Sequence, residues 1–110
     1  MAAATNGASA TGEVVEVRPD RVQVKGALTF ATARAAREAG LAILNRSSSA
    51  EPLTVDCSGV GPSDSAGLAV LIDLLANAAK RGRTVQFWNL PQGIVAAAKI
   101  SEVDSILGIG

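Results

Sequence analysis

The chain has no histidine and no tyrosine, one cysteine, and only two phenylalanines and one tryptophan. Each shortage removes a class of chemistry. Without histidine there is no Ser-His-Asp triad and no histidine-containing zinc site. With Cys57 as the single thiol there is no internal disulfide, and a transition-metal site lacks its usual ligands. Cys57 reads as a small buried apolar residue, and one lone cysteine suits a reducing compartment. Charge of either sign is not in excess: ten Lys and Arg balance ten Asp and Glu. A neutral chain without a basic block is a poor ligand for nucleic acid or for an anionic membrane. No run approaches the roughly 20 apolar residues needed to cross a bilayer, so direct membrane insertion is not expected.

What the chain does contain is aliphatic. Hydrophobic residues make up 48% of 110 positions while aromatics make up 3%, which predicts one domain with a core of Val, Leu, Ile and Ala. Residues 1–12 are rich in Ala, Ser, Thr and Gly and carry neither a basic segment nor a continuous apolar stretch. They are expected to be a disordered tail rather than a signal peptide, with the domain occupying 13–110 and the protein cytoplasmic.

Alternation of Val14, Val15, Val17 and then Val22, Val24 around Pro19-Asp20 predicts two antiparallel strands at about 13–18 and 21–26, joined by a type I turn. Thr29 is a candidate cap for a helix over about 30–45, with Phe30, Ala33, Leu41 and Leu44 on its inner face. Leu53, Val55 and Cys57 share one face of a third strand. A second helix carries Leu68, Leu71, Ile72, Leu75 and Ala79 as an apolar stripe and ends at Gly82. A strand over 84–89 follows, with Val85 and Phe87 on one side and Gln86 and Trp88 on the other. A third helix opens at Asn89-Leu90-Pro91, with Ile94, Val95 and Ala98 facing inward. Val103, Ile106 and Leu107 continue as a short apolar tail element. The predicted order is β-β-α-β-α-β-α, an α/β fold with a mixed four-stranded sheet packed with helices. Its strand-helix-strand units require parallel pairing and right-handed crossovers.

The stretch Val60-Gly61-Pro62-Ser63-Asp64-Ser65-Ala66-Gly67-Leu68 carries the most information. It reads as a loop over 58–67 that ends in a carboxylate and a hydroxyl at a helix start. As a phosphate cradle it fails: no Gly-Lys-Ser/Thr ending is present, and Asp64 stands where a G-x-G-x-x-G begun at Gly59 needs its last glycine. As a nucleophile Ser65 lacks a base, since Lys80 and Lys99 fit no Ser-Lys spacing. Asp64 or Ser65 is expected to cap the helix. Gly67 in a first turn costs about 0.5–1 kcal/mol against Ala, which points to another backbone or a partner surface close by. Asp56 is expected to tie the loop backbone by an Asx-type bond. Trp88 has two readings, buried under a helix or anchoring an interface.

The segments Val55-Asp56-Cys57-Ser58-Gly59-Val60, Asp64-Ser65-Ala66-Gly67-Leu68-Ala69 and Gly82-Arg83-Thr84-Val85 together resemble a STAS domain, over about residues 13–107. Gly26-Ala27-Leu28-Thr29-Phe30-Ala31, Gly67-Leu68-Ala69, and Asn89-Leu90-Pro91 followed by Ala96-Ala97-Ala98-Lys99 are similar to the small STAS subunit of the bacterial Mla phospholipid transporter. That resemblance implies a non-catalytic monomer within a larger membrane complex. It would need no cofactor or metal, bind the cytoplasmic ATPase of an ABC-type transporter, and lie at the inner membrane through that partner. It implies a partner-binding patch of Asp64, Ser65, Ala66, Gly67 and Leu68. The alternative resemblance, to anti-sigma factor antagonists, implies phosphorylation of Ser65. That motif usually closes on Gly, where this chain has Ala69.

Overall fold

The computed structural model describes residues 13–46 and 51–108; the expected tail over 1–12 lies outside them. The elements are β1 (Glu13–Arg18), β2 (Arg21–Leu28), α1 (Ala33–Arg46), β3 (Leu53–Ser63), α2 (Ser65–Lys80), β4 (Val85–Trp88) and α3 (Gln92–Ile100). The order is the one the sequence predicts. The sheet runs β1-β2-β3-β4, with β1 antiparallel to β2 and the other two pairings parallel.

Both crossovers, through α1 and α2, step in the same direction across the sheet. Right-handed connections therefore put both helices on the same face. The side chains agree. Val22, Val24, Leu53, Val55 and Cys57 are buried under the helices. Lys25, Gln86 and Trp88, together with Val15 and Val17, are exposed on the opposite face. The core is aliphatic, centred on Leu28, Leu71, Ile94, Val24 and Val55, each under 2% exposed.

The stripe of α2 is rotated from its predicted position. Gly67, Leu68, Val70, Leu71, Leu74 and Ala78 are buried, Ile72 and Leu75 are half-buried, and Ala79 is exposed. The helix packs on the sheet and on α1 together, so a wider arc than the predicted stripe is covered. It ends as expected. Gly82, at φ 72°, lets its own N–H reach Ala79 O and that of Arg83 reach Ala78 O, both at 2.9 Å, which is a Schellman closure. Arg83 itself is 3% exposed and donates to the carbonyls of Pro19 and Glu51, each at 2.6 Å, joining the start of β4 to the β1–β2 turn.

Two boundaries differ from expectation. Residues 58–63 are not loop; β3 continues through them to Ser63, paired with β2 as far as Leu28. Two register shifts, between Gln23 and Lys25 and between Gly26 and Leu28, break the period-2 pattern on which a strand is recognised. The first helix begins at Ala33, not 30. Thr32 Oγ1 accepts from Thr29 N at 3.0 Å and donates to Ala27 O at 2.8 Å, closing a turn that holds residues 29–32 out of the helix. Past α3, Val103 is half-buried and Leu107 buried, but Ile106 is 53% exposed and the segment forms turns.

Cys57 is buried, at 1% exposure, as expected. Burial, and secondarily the neighbouring Asp56 charge, pushes its thiol up to about 12. The folded state thus holds a proton that the unfolded chain releases, so stability present below the unfolded thiol value is lost as pH climbs toward about 12. At pH 8 a thiol-specific aromatic disulfide should label the urea-unfolded chain rapidly and leave the native chain unlabelled. Equal rates would contradict the burial.

Candidate functional site

The end of β2 and the start of α2 meet at one place. Asp64 is the residue before α2, in an extended conformation, and it is the cap. Its Oδ1 accepts from Ala66 N at 2.9 Å and Gly67 N at 3.3 Å. Its Oδ2 accepts from Phe30 N at 3.2 Å, and its own N–H donates to Leu28 O at 3.3 Å. A capping carboxylate is worth about 1 kcal/mol, and its charge suits the positive end of the helix. This one satisfies a second segment of chain as well, so Asp64 fastens the Thr29–Thr32 turn to the helix.

Capping by Asp64 leaves Ser65 with another role. It is the first residue of α2 and exposed, and its hydroxyl takes no part in the cap. The other patch residues divide. Ala66 is half-buried, whereas Gly67 and Leu68 are buried and face inward. A Cβ at Gly67 would lie 2.2 Å from Leu28 O and 2.9 Å from Leu28 Cγ. The close approach expected at Gly67 is therefore an internal backbone. Asp64, Ser65 and the edge of Ala66 form the accessible part of the patch, with Gly61 and Pro62 exposed just before them.

Beside this site, sequence reasoning misplaces Phe30. Expected on the inner face of the first helix, it is 85% exposed, because the Thr32 turn holds it ahead of the helix. A second threonine three positions after Thr29 was the available signal.

A second cluster lies around Asp56, itself 4% exposed. Its Oδ1 accepts from Ser58 N at 3.0 Å, the expected Asx-type bond, and from Asn89 Nδ2 at 3.1 Å. Its Oδ2 pairs with Arg21 at 3.1 Å. The Ser58 N–H, then Asn89, and further the Ser58 hydroxyl and Arg21 hold this carboxyl well below the usual carboxylate range, against the opposing effect of burial. Asn89 sits at φ 58°, a region Asn tolerates better than most residues, and that geometry aims its amide at Asp56. Trp88 is not buried under a helix: it is 44% exposed, with the Arg21 guanidinium 4.9 Å from its ring centroid.

Chemically, the helix start offers a hydroxyl beside a carboxylate whose oxygens are both engaged. Lys80, at the far end of α2, is about 22 Å away along the helix axis, so it supplies no base. Among the described residues no group of three or more His, Cys, Asp or Glu could hold a metal, and no helix is long and apolar enough to cross a membrane.

Solved structures share this fold. The anti-sigma factor antagonist SpoIIAA in its unphosphorylated form is 14% identical, with 90% of this chain and 98% of that one aligned at a TM-score of 0.62. A sulfate transporter family protein from Wolinella succinogenes is 16% identical over 87% of this chain and 76% of its own, at a TM-score of 0.62. SLC26A9, named as an anion transporter, is 19% identical over 78% of this chain at a TM-score of 0.65; there the match spans only 16% of that chain's length. No curated protein matches the chain. The family model described as MlaB, STAS domain, matches residues 12–108, and with that match over nearly its whole length the chain belongs to the STAS-domain family.

Proposed function

We propose that this chain is the non-catalytic STAS subunit of an ABC-type phospholipid transporter that maintains outer-membrane lipid asymmetry. In this reading it binds the transporter's cytoplasmic ATPase through the start of α2, stabilises it and tunes its activity. It is a monomer within the complex, in the cytoplasm, held at the inner membrane by its partner. The observation that carries the reading is the match to the MlaB-type model over residues 12–108. The exposed Ser65, freed from capping by Asp64, supports the position of the contact. To regulate, such a subunit must bind the states of the ATPase unequally, since equal affinity shifts no equilibrium.

A second reading is favoured by one observation. SpoIIAA, an anti-sigma factor antagonist, aligns over 98% of its own length, and Ser65 is accessible to a kinase. Phosphorylation would add about −1.5 to −2 charges beside Asp64. Co-expression separates the two. With a lipid-transport ATPase the chain should co-elute as a stable complex. With an anti-sigma kinase and ATP it should gain no phosphate on Ser65. Phosphorylation at Ser65 without co-elution would reverse the assignment.

A further inference from the structure

We infer that Phe30 is the apolar anchor of the docking surface, seated in an apolar pocket of the same ATPase, and that Asp64 holds the anchor in position. The inference rests on the docking reading above and extends it to a residue outside the α2 motif.

Phe30 is one of three aromatic residues in the chain, and it is 85% exposed. An exposed phenylalanine on a loose segment would mean little. This one stands on a fixed turn. Thr32 N donates to Thr29 O at 3.0 Å, Thr29 N to Thr32 Oγ1 at 3.0 Å, and Thr32 Oγ1 to Ala27 O at 2.8 Å. The N–H of Phe30 itself is bound by Asp64 Oδ2 at 3.2 Å. Only the side-chain torsions of Phe30 remain to be ordered on binding, and pre-organisation of this kind lowers the entropic cost of association. Among the described residues Ile100, 83% exposed, is the other strongly exposed apolar side chain; it is at the C-terminal end of α3, whose N-terminal end abuts Ser63. It therefore lies about 10 Å along that helix from the α2 start.

The same carboxylate that caps α2 next to Ser65 thus also ties the backbone of Phe30 to the helix start. The docking surface inferred here joins Phe30 to the exposed Pro62 and Ser65 and the edge of Ala66, with both Asp64 oxygens engaged inside the molecule. It presents an apolar ring and a hydroxyl without an unsatisfied charge. The complementary surface is accordingly an apolar pocket with a hydrogen-bonding rim, not a cationic groove. Aromatic side chains filling such pockets dominate protein interfaces.

The test uses the full chain co-expressed with a lipid-transport ATPase, with affinity measured on the purified components at two salt concentrations. Phe30→Ala should melt within a few degrees of the wild-type chain, since the ring contributes almost nothing to the core. It should weaken binding by about 30-fold or more, as expected of a truncated hot-spot aromatic. Phe30→Leu should restore most of the affinity, and raising salt should change it little. If Phe30→Ala binds like wild type while Ser65→Arg abolishes the complex, the anchor assignment is wrong and the docking reading stands. If both variants bind normally, the docking reading itself fails. A large drop in melting temperature for Phe30→Ala would place the ring in the fold and overturn the inference. So would a self-associated chain that Phe30→Ala converts to monomer, because the patch would then serve a second copy.

Discussion

Gly67→Val should unfold the protein or leave it severely destabilised, and Gly67→Ala should lower the melting temperature by roughly 10–20 °C, corresponding to about 3 kcal/mol. A methyl group at position 67 meets the carbonyl oxygen of Leu28 at 2.2 Å, well inside contact distance. That oxygen belongs to the last residue of β2, where the strand pairs with Ser63 and also accepts the Asp64 N–H. It cannot retreat without opening the sheet. The helix cannot retreat either, because its first turn is held by the Asp64 cap and its stripe is seated in the core through Leu68, Leu71 and Leu74. The gain in helix propensity from replacing Gly by Ala, at most about 1 kcal/mol, does not offset this. Gly40 offers the contrast. A Cβ there meets Leu74 Cδ2 at 2.6 Å, the end of a flexible side chain rather than a backbone atom, so Gly40→Ala should cost less than Gly67→Ala. Gly61→Ala, with nothing within 4 Å, should stay within about 0.5 kcal/mol of the original. Urea unfolding followed by circular dichroism ranks the three. A Gly67→Ala protein as stable as Gly61→Ala would mean that α2 does not approach β2 as described.

That contact also marks the limit of what the sequence discloses. Periodicity is a local property, and everything built on it is legible. Val22 and Val24, Leu53 and Val55, and Ile94 and Ala98 are where alternation and helical spacing put them. The Asx-type bond of Asp56 and the closure at Gly82 are local too, and both were readable. What escapes notice depends on residues far apart in the chain. The oddity of Gly67 is visible in the sequence, yet its cause, the carbonyl of Leu28, lies 39 positions upstream. The extension of β3 through Gly59, Gly61 and Pro62 is stabilised by pairing with β2, and its two register shifts erase the alternation that would have announced it. Phe30 shows the same competition at short range. An apolar residue just after a capping threonine fits a helical face, and the Thr32 hydroxyl closing on Thr29 N and Ala27 O overrides that fit. The Asp64–Ser65 pair was legible as a helix start; which of the two would cap it was not.

That division of labour between Asp64 and Ser65 makes Ser65 the decisive position for function. Ser65→Arg should abolish co-purification with a lipid-transport ATPase while leaving the chain folded, with a stability change under about 1 kcal/mol. The side chain at 65 is exposed and uninvolved in the cap, so its replacement breaks no internal hydrogen bond. A cation at a helix N-terminus is unfavourable by about 0.3–1 kcal/mol, and the adjacent Asp64 carboxylate compensates part of that. Ser65→Asp separates folding from binding more sharply. A carboxylate in the first turn is favourable for the helix by a similar amount, part of which repulsion from Asp64 cancels, so this variant should melt close to the wild-type temperature and above Ser65→Arg. Yet it places a second negative charge beside Asp64, on a patch whose carboxylate is already satisfied internally, and a partner surface fitted to a neutral hydroxyl should reject it. Ser65→Ala removes only one hydrogen-bonding group and should bind with a loss of tenfold or less, about the worth of one neutral hydrogen bond. The ordering expected for binding is therefore Ser, then Ala, then Asp and Arg, while the ordering for stability puts Asp first and Arg last. The two rankings part at Asp, first for stability and among the last for binding, so its loss of binding cannot arise from partial unfolding. A Ser65→Arg chain that folds and co-purifies at wild-type yield would place the ATPase contact on another face of the domain.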